Sequence, residues 1–370
     1  MRILYDGQIY SMQAVGGINR YFANLISRLP ENSTPYLLVD RVRVMNYPEQ
    51  VNLKVYGYGN SWLEHVSHRA GSYYSKFATY YSKHITSLKR FDVAHPTYYT
   101  LLTRKEVNTY RCPVVLTVWD MIHELYPAEM DPTGQHAEEK RKAILAAQAV
   151  ICISENTKKD LLGRYSLPEE KVRVIHLASN IDASTSYGSH PIPCRPYFMY
   201  VGSRTYYKNF DGLLAALKRV RTANPDVTLC VVGHPFDETE RNVIADLKLT
   251  AHVEHYGYVN DEHLAKLYRC SIAFVYPSLY EGFGIPVLEA MSCGTVVVAS
   301  NSSSLPEVVG DAGVLFDPYS PDELAQVLTL LLEDPVERGR LIAKGSRRAQ
   351  QFSWYKTVSE TIDVYRSVCG

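Results

Sequence analysis

Short apolar runs bounded by turn residues alternate with longer stretches of helical period along the whole chain. That alternation is the pattern of parallel strands covered by helices on both faces. Arg2–Tyr5 reads as the first strand and leads into a long loop holding Gly16-Gly17. A helix follows, in which Ile18, Phe22, Leu25, Ile26 and Leu29 recur at three- and four-residue steps. Further strands are predicted at Tyr36–Val39, Leu53–Val55, Val93–His95, Val114–Val118, Val150–Ile153 and Val172–Ile175. Between Leu53–Val55 and Val93–His95, Ser61–Arg90 reads as one long helix with Trp62, Val66, Ala70, Tyr73, Phe77, Tyr81 and Leu88 on one stripe.

The pattern breaks at Asn180–Pro196, which is rich in Ser, Gly and Pro and has almost no apolar periodicity. A second series then begins, with strands predicted at Tyr197–Val201, Leu229–Val232, Val253–His255, Ile272–Tyr276 and Thr295–Ala299. Helices are expected at Asp211–Arg221, Pro286–Ser292, Pro321–Leu332, Pro335–Gln351 and Trp354–Val368, three of them opening on a proline, which suits a first turn. The expected architecture is α/β: two Rossmann-like parallel-sheet domains, residues 1–186 and 187–352, facing a central cleft. Residues 353–370 are expected to form a helix that returns to the first domain.

Composition narrows the function. The 370 residues carry 39 Lys+Arg and 39 Asp+Glu, so no global charge favours nucleic acid, and an anionic partner must be met by a local patch. Neutrality is a cancellation, because the chain has 22 basic against 18 acidic residues up to Tyr187 and 17 against 21 after it. Seven cysteines form no C-x-x-C pair and no zinc-site spacing, which reads as free thiols in a reducing cytoplasm. The N-terminus lacks a signal-peptide apolar region, and no run approaches the roughly 18 apolar residues of a membrane span. Tyrosine is over-used, with 29 residues against 10 Phe.

The most informative stretch is Pro277-Ser-Leu-Tyr-Glu-Gly-Phe-Gly-Ile-Pro-Val-Leu-Glu-Ala-Met-Ser-Cys-Gly, which follows a buried strand and opens a helix. Gly282 and Gly284 let backbone approach a ligand, and the amides of Phe283, Gly284 and Ile285 lie where a helix N-terminus favours an anion. Glu281 precedes the helix and Glu289 lies inside it, so two carboxylates can address different hydroxyl-bearing parts of one ligand. A glycine-containing strand-to-helix turn with two ordinary glutamates is the bland alternative.

This string resembles glycosyltransferase family 4, whose members have the GT-B fold and transfer a sugar from a nucleoside-diphosphate donor with retention. The resemblance extends through Gly257-Tyr258-Val259, Ser304-Leu305-Pro306-Glu307-Val308 and Gly310-Asp311-Ala312-Gly313. In the first half it takes in Gly16-Gly17-Ile18, Asp120-Met121-Ile122-His123-Glu124 and Ser154-Glu155. It implies that Glu289 holds the donor ribose, that Glu281 with the Phe283 and Gly284 amides holds the transferring sugar, and that backbone near Tyr258 and Val259 holds the base. Gly202-Ser-Arg-Thr-Tyr-Tyr-Lys-Asn looks like the family's pyrophosphate loop, with Arg204 and Lys208 taking the phosphate charge. Fixed cations can stabilise a departing nucleoside diphosphate without a divalent metal, so neither metal nor cofactor is expected. Gly16-Gly17 would bring backbone to the same pyrophosphate, unless it is a plain loop hinge.

One position departs from the family. Many members read His-Asp where this chain reads Trp119-Asp120; Asp120 persists, and His123 three residues on is a candidate for the lost contact. Arg69, Lys76, Lys83 and Arg90 recur every seven residues on the long helix, a basic stripe that would suit an anionic membrane surface and a lipid-linked saccharide, although a solvated charged face is the commoner outcome. The function expected is hexosyl transfer from UDP-glucose first, or GDP-mannose second, to a saccharide or lipid-linked acceptor in polysaccharide biosynthesis, in the cytoplasm or at the inner membrane face. A nucleotide-sugar epimerase or phosphorylase on the same scaffold, or a non-catalytic nucleotide-sugar-binding subunit, are the alternatives.

Overall fold

The computed structural model describes residues 1–13, 16–39, 46–57, 90–102, 106–182, 184–185 and 188–370. The chain forms two compact units: Met1–Leu177 with Trp354–Gly370, and Ala178–Ser353. The division falls nine residues before the expected 186/187, and Ile181, within the stretch that reads as polar linker, is buried.

The described strands of the first unit are β1 (Arg2–Asp6), β2 (Thr34–Val39), β3 (Lys54–Gly57), β4 (Val93–Ala94), β5 (Val115–Val118), β6 (Ala149–Cys152) and β7 (Val172–Val174). Those of the second are β8 (Tyr197–Val201), β9 (Thr228–Val232), β10 (Val253–Gly257), β11 (Ala273–Tyr276), β12 (Val297–Ser300) and β13 (Val314–Phe316). The second unit's sheet runs β10-β9-β8-β11-β12-β13, all parallel. Counted from its own first strand this is the 3-2-1-4-5-6 order of the doubly wound fold, whose strand order reverses between β8 and β11. The first unit repeats the scheme: β3-β2-β1-β4 is one parallel ladder, β5-β6-β7 another, and an Ala94–Val114 bridge joins them. Its reversal lies between β1 and β4.

Both faces of these sheets are covered, which is why β11 and β12 are buried at every residue and read as continuous apolar runs. In the second unit, Leu213, Leu214, Leu217 and Val220 of helix Phe210–Ala223 pack with Phe198, Tyr200, Leu229 and Val231 of the sheet. Helix Pro321–Glu333 adds Leu324, Leu328 and Leu331 to the same core, each buried leucine stabilising it by about 1.5–3 kcal/mol.

Trp354–Cys369 forms a helix whose Val358, Ile362, Val364 and Tyr365 are buried in the first unit. Its anchor is polar. The Tyr365 hydroxyl lies 3.0 Å from that of Tyr5 and 2.6 Å from His95 Nδ1, while His95 Nε2 lies 2.8 Å from Thr117 Oγ1. Here the surplus of tyrosine has a use, since an aromatic body fills the core while its hydroxyl satisfies a buried partner. Tyr197 shows the same economy, donating to Leu267 O at 2.7 Å from a strand buried at all but its last residue.

The long helix expected over Ser61–Arg90, with Arg69, Lys76 and Lys83, lies outside the described residues apart from Arg90, which is exposed and not helical. No helix among the described residues is long and apolar enough to cross a membrane.

Candidate active site

In doubly wound sheets, ligands sit outside the carboxyl ends of the strands where the order reverses. In the second unit that place is built by the segments leaving β8 and β11, and these carry the two sequence motifs.

β8 ends at Gly202, whose φ of 134° admits only glycine readily. Gly233 after β9 (φ 146°) and Gly257 closing β10 (φ 63°) repeat the feature, and a Cβ on Gly233 would stand 2.6 Å from Gly202 O. The ends of three adjacent strands are therefore paved with backbone. The chain then makes a turn of 3-10 helix at Tyr206–Lys208 and enters the long helix at Phe210 through Asn209, which has φ 52°. The Asn209 side chain holds this turn in place by donating to Pro277 O (3.1 Å) and Pro318 O (2.8 Å), which ties the exits of β8, β11 and β13 together.

From this turn Lys208 reaches Glu281, with Nζ to Oε1 at 2.6 Å and both side chains about nine-tenths buried. The Tyr276 hydroxyl hydrogen-bonds Glu281 as well, and burial together with that carboxylate pushes its pKa well above 10, so it remains a proton donor. Thus a lysine from one motif and a glutamate from the other, 73 residues apart, form one charge-assisted pair.

The Glu281 segment is clamped by three consecutive serines after β12. Ser302 Oγ donates to Leu279 O (2.5 Å), Ser303 Oγ accepts from Glu281 N (2.8 Å), and Ser304 Oγ donates to Glu281 O (2.9 Å) and Phe283 O (3.0 Å). Ser303 adopts φ 52° to do so, an uncommon left-handed conformation for a residue with a side chain. The sequence reading passes over this clamp, since Ser302 and Ser303 carry no spacing that marks them.

Gly284 caps helix Ile285–Ser292 with φ 108°, and a Cβ there would meet Leu305 Cδ2 at 2.9 Å. Phe283 is buried edge-on to Phe352, so its contribution outward is its backbone amide. Glu289, in the second turn of this helix, is buried and accepts from the Tyr268 hydroxyl at 3.2 Å. Tyr258, just past β10, is 79% exposed with its ring edge-on to His234, and Val259 beside it is half-buried.

Arg204 does not stand as an open phosphate cation. Its guanidinium is paired bidentately with Glu240, Nε to Oε1 at 2.6 Å and Nη2 to Oε2 at 3.0 Å, and its side chain is only 4% exposed. A partner 36 residues away was not visible in the motif.

The first unit places its predicted residues separately. Gly16-Gly17 starts helix Gly17–Ser27 after β1, with the Gly16 amide donating to Asn19 Oδ1 at 2.9 Å and open space where a Gly17 Cβ would be. Asp120, after β5, accepts from its own Ile122 amide (3.0 Å) and faces Lys140 at 3.7 Å. Fully buried Lys140 donates to Asp120 O (3.0 Å) and Glu124 Oε2 (2.8 Å). His123 is half-buried, with Nδ1 lacking a hydrogen-bond partner and its pKa held below 6.5 by burial and by Lys140. Trp119 fills the core edge-on to Tyr21 (4.9 Å) and Phe22 (5.9 Å).

The family model described as Glycosyltransferase Family 4 matches residues 15–183, and that of Glycosyl transferases group 1 matches residues 189–348. The α-maltose-1-phosphate synthase of Mycobacterium tuberculosis is 30% identical over 309 residues, covering 75% of this chain and 79% of that one. The chain belongs to glycosyltransferase family 4. This family-4 glycosyltransferase is also 29% identical over 301 residues to O-antigen chain mannosyltransferase B of Escherichia coli, covering 77% of this chain and 75% of the relative. Its GT-B fold is shared with sucrose-phosphate synthase of Thermosynechococcus elongatus (TM-score 0.78, 20% identity, 99% and 98% of the two chains). Anabaena HepE, solved in complex with UDP and glucose, shares it too (TM-score 0.72, 17% identity, 99% and 100%).

Proposed function

We propose that this glycosyltransferase moves a hexosyl group, with retention, from a nucleoside-diphosphate sugar to a hydroxyl of a saccharide or lipid-linked saccharide in polysaccharide assembly. The observation that carries the reading is the Lys208–Glu281 pair at the strand reversal of the second unit. A carboxylate suits the hydroxyls of the transferring sugar, and the lysine beside it suits the charge of the departing diphosphate. Glu289 is assigned the donor ribose, the Phe283, Gly284 and Ile285 amides the anionic and sugar oxygens at the helix start, and Tyr258-Val259 the base. Arg204 is taken up by Glu240, so the diphosphate charge is assigned to Lys208.

No protein carboxylate is needed as a nucleophile in this reading. The acceptor oxygen bonds the anomeric carbon as the bond from that carbon to the diphosphate oxygen breaks. The electron pair leaves with the nucleoside diphosphate, whose phosphate oxygen takes the acceptor's proton. With Lys208 meeting the developing charge, turnover is expected to persist in chelator. The names of O-antigen chain mannosyltransferase B and of the MMP α-(1→4)-mannosyltransferase support mannosyl beside glucosyl as the transferred group. In the first unit, Asp120 and His123 are assigned to the acceptor side.

The test is release of nucleoside diphosphate from GDP-mannose and UDP-glucose with and without saccharide acceptors, in wild type and Glu281→Gln. Acceptor-dependent release that falls about 100-fold or more in the variant, with nucleotide affinity within a few-fold, is the result expected. Undiminished turnover in Glu281→Gln, or no acceptor-dependent release by wild type with either donor, contradicts it.

A further inference from the structure

Lys208 and Glu281 neutralise each other at 2.6 Å, yet the ammonium is assigned to the diphosphate and the carboxylate to the transferring sugar. The two side chains keep 11% and 10% of their surface exposed, so an incoming donor meets the pair at that opening and competes with it. Parting a mostly buried ion pair is costly when nothing replaces the lost partner. A third group beside both charges lowers that cost.

Tyr276 stands in that place. It is the last residue of β11 and is buried, and its hydroxyl accepts from Lys208 Nζ at 3.4 Å while also hydrogen-bonding Glu281. A phenol oxygen can accept from an ammonium and donate to a carboxylate at the same time. The centre of its ring lies 5.5 Å from the ammonium and that of Tyr207 lies 4.9 Å from it, so two aromatic faces confine the cation. Tyr276 cannot follow either partner, because it pairs with Ala299 in the ladder to β12 and its ring packs on Phe274 at 5.5 Å. Glu281 is pinned at its backbone by Ser303 and Ser304. The hydroxyl is the single polar side-chain atom of Ala273–Tyr276, and burial of the strand does not call for it.

We infer that Tyr276 is a positioning residue of the transfer reaction, its fixed hydroxyl holding Lys208 and Glu281 in register while the diphosphate and the sugar of the donor draw them apart. The inference rests on the assignment of Lys208 and Glu281 made above, and adds the group that lets both serve one donor. Without donor the pair is closed. With donor bound, Lys208 turns to the diphosphate oxygens and the tyrosine remains as the partner of the carboxylate. Tyr276 acts on the reaction only through these two side chains.

The test compares wild type, Tyr276→Phe, Glu281→Gln and the double variant by steady-state release of nucleoside diphosphate from GDP-mannose and UDP-glucose with acceptor, by titration of GDP and UDP, and by thermal unfolding. Tyr197→Phe is the control, since it removes an equally buried hydroxyl from the same unit at the amino end of β8. Tyr276→Phe keeps the ring and loses one oxygen, so it should stay folded, lose about tenfold in kcat and bind nucleotide within about threefold of wild type. In the Glu281→Gln background the same change should cost less than about twofold, because the tyrosine then has no carboxylate to hold, and Tyr197→Phe should keep kcat within about twofold. Unchanged kcat in Tyr276→Phe beside an impaired Glu281→Gln overturns the inference and leaves the assignment of the pair standing. A tenfold loss repeated in full in the Glu281→Gln background overturns it too, as does an equal loss of kcat in Tyr197→Phe. Undiminished turnover in Glu281→Gln overturns the assignment itself, and the inference with it.

Discussion

The two units repeat one strand order, yet they use the carboxyl ends of their strands differently. In the second, charged side chains gather at the reversal point: Lys208 meets Glu281, Arg204 keeps an unpartnered nitrogen, and three serines hold the intervening turn. In the first, the corresponding polar groups are largely consumed in holding the fold. Lys140 is buried under Asp120 and Glu124, and His95 is locked between Tyr365 and Thr117. Topology decides where a ligand can sit, but the local satisfaction of polar groups decides which repeat has chemistry to offer.

The contrast is broken most severely at Lys140. Replacing it with Met leaves the Glu124 carboxylate buried without its cation, and calorimetric unfolding of the first unit should lose about 3–5 kcal/mol. Replacing both partners, Lys140→Met with Glu124→Leu, should recover most of that loss. If Lys140→Met unfolds as wild type does, the buried pair is not structural, and the claimed difference between the units weakens.

Gly284→Ala attacks the other unit. The φ of 108° and the 2.9 Å approach of Leu305 together predict a loss of about 1–3 kcal/mol and a raised KM for the donor. Normal donor affinity in a destabilised Gly284→Ala would separate the helix start from the binding site.

A smaller effect sharpens the account of the first unit. Full burial depresses the pKa of His95 from 6.5 to about 3. Below pH 6.5 the unfolded chain takes up a proton that folded His95 refuses. Its contribution is thus complete above pH 6.5 and declines as pH falls toward 3. Between pH 6.5 and 5.5 this group alone should remove about 1 kcal/mol from the stability of the first unit. His95→Asn should abolish that slope while lowering stability at neutral pH. A slope that persists in His95→Asn assigns the dependence to other groups.

Much of this was legible in the chain. The continuous apolar runs of β8, β9 and β11 and the 3.6-residue period of helix Gly17–Ser27 mark their elements because burial imposes those patterns. β13, Val314–Phe316, drew no prediction. Gln135–Ala146 and Glu155–Arg164 drew no individual prediction, since each buries only a few residues of a mostly polar helix. At the site, motif strings located Arg204, Lys208, Glu281, Gly284 and Glu289, whereas several contacts that hold these segments went unseen. Glu240, Ser303 and Asn209 act across 36, 22 and 68 residues respectively, and such distances leave no local signature. Trp119 shows the reverse case, in which a departure from the family pattern is explained by packing against Tyr21 and Phe22.

The central claim is that the donor nucleotide binds at the strand ends of the second unit. Hydrogen–deuterium exchange of the full protein with saturating UDP or GDP tests it most directly, because it reads both units at once. Amides within 202–209, 257–259 and 281–289 should show the greatest protection. Unchanged exchange in those three segments, with protection instead confined to the strand ends of the first unit, would contradict it.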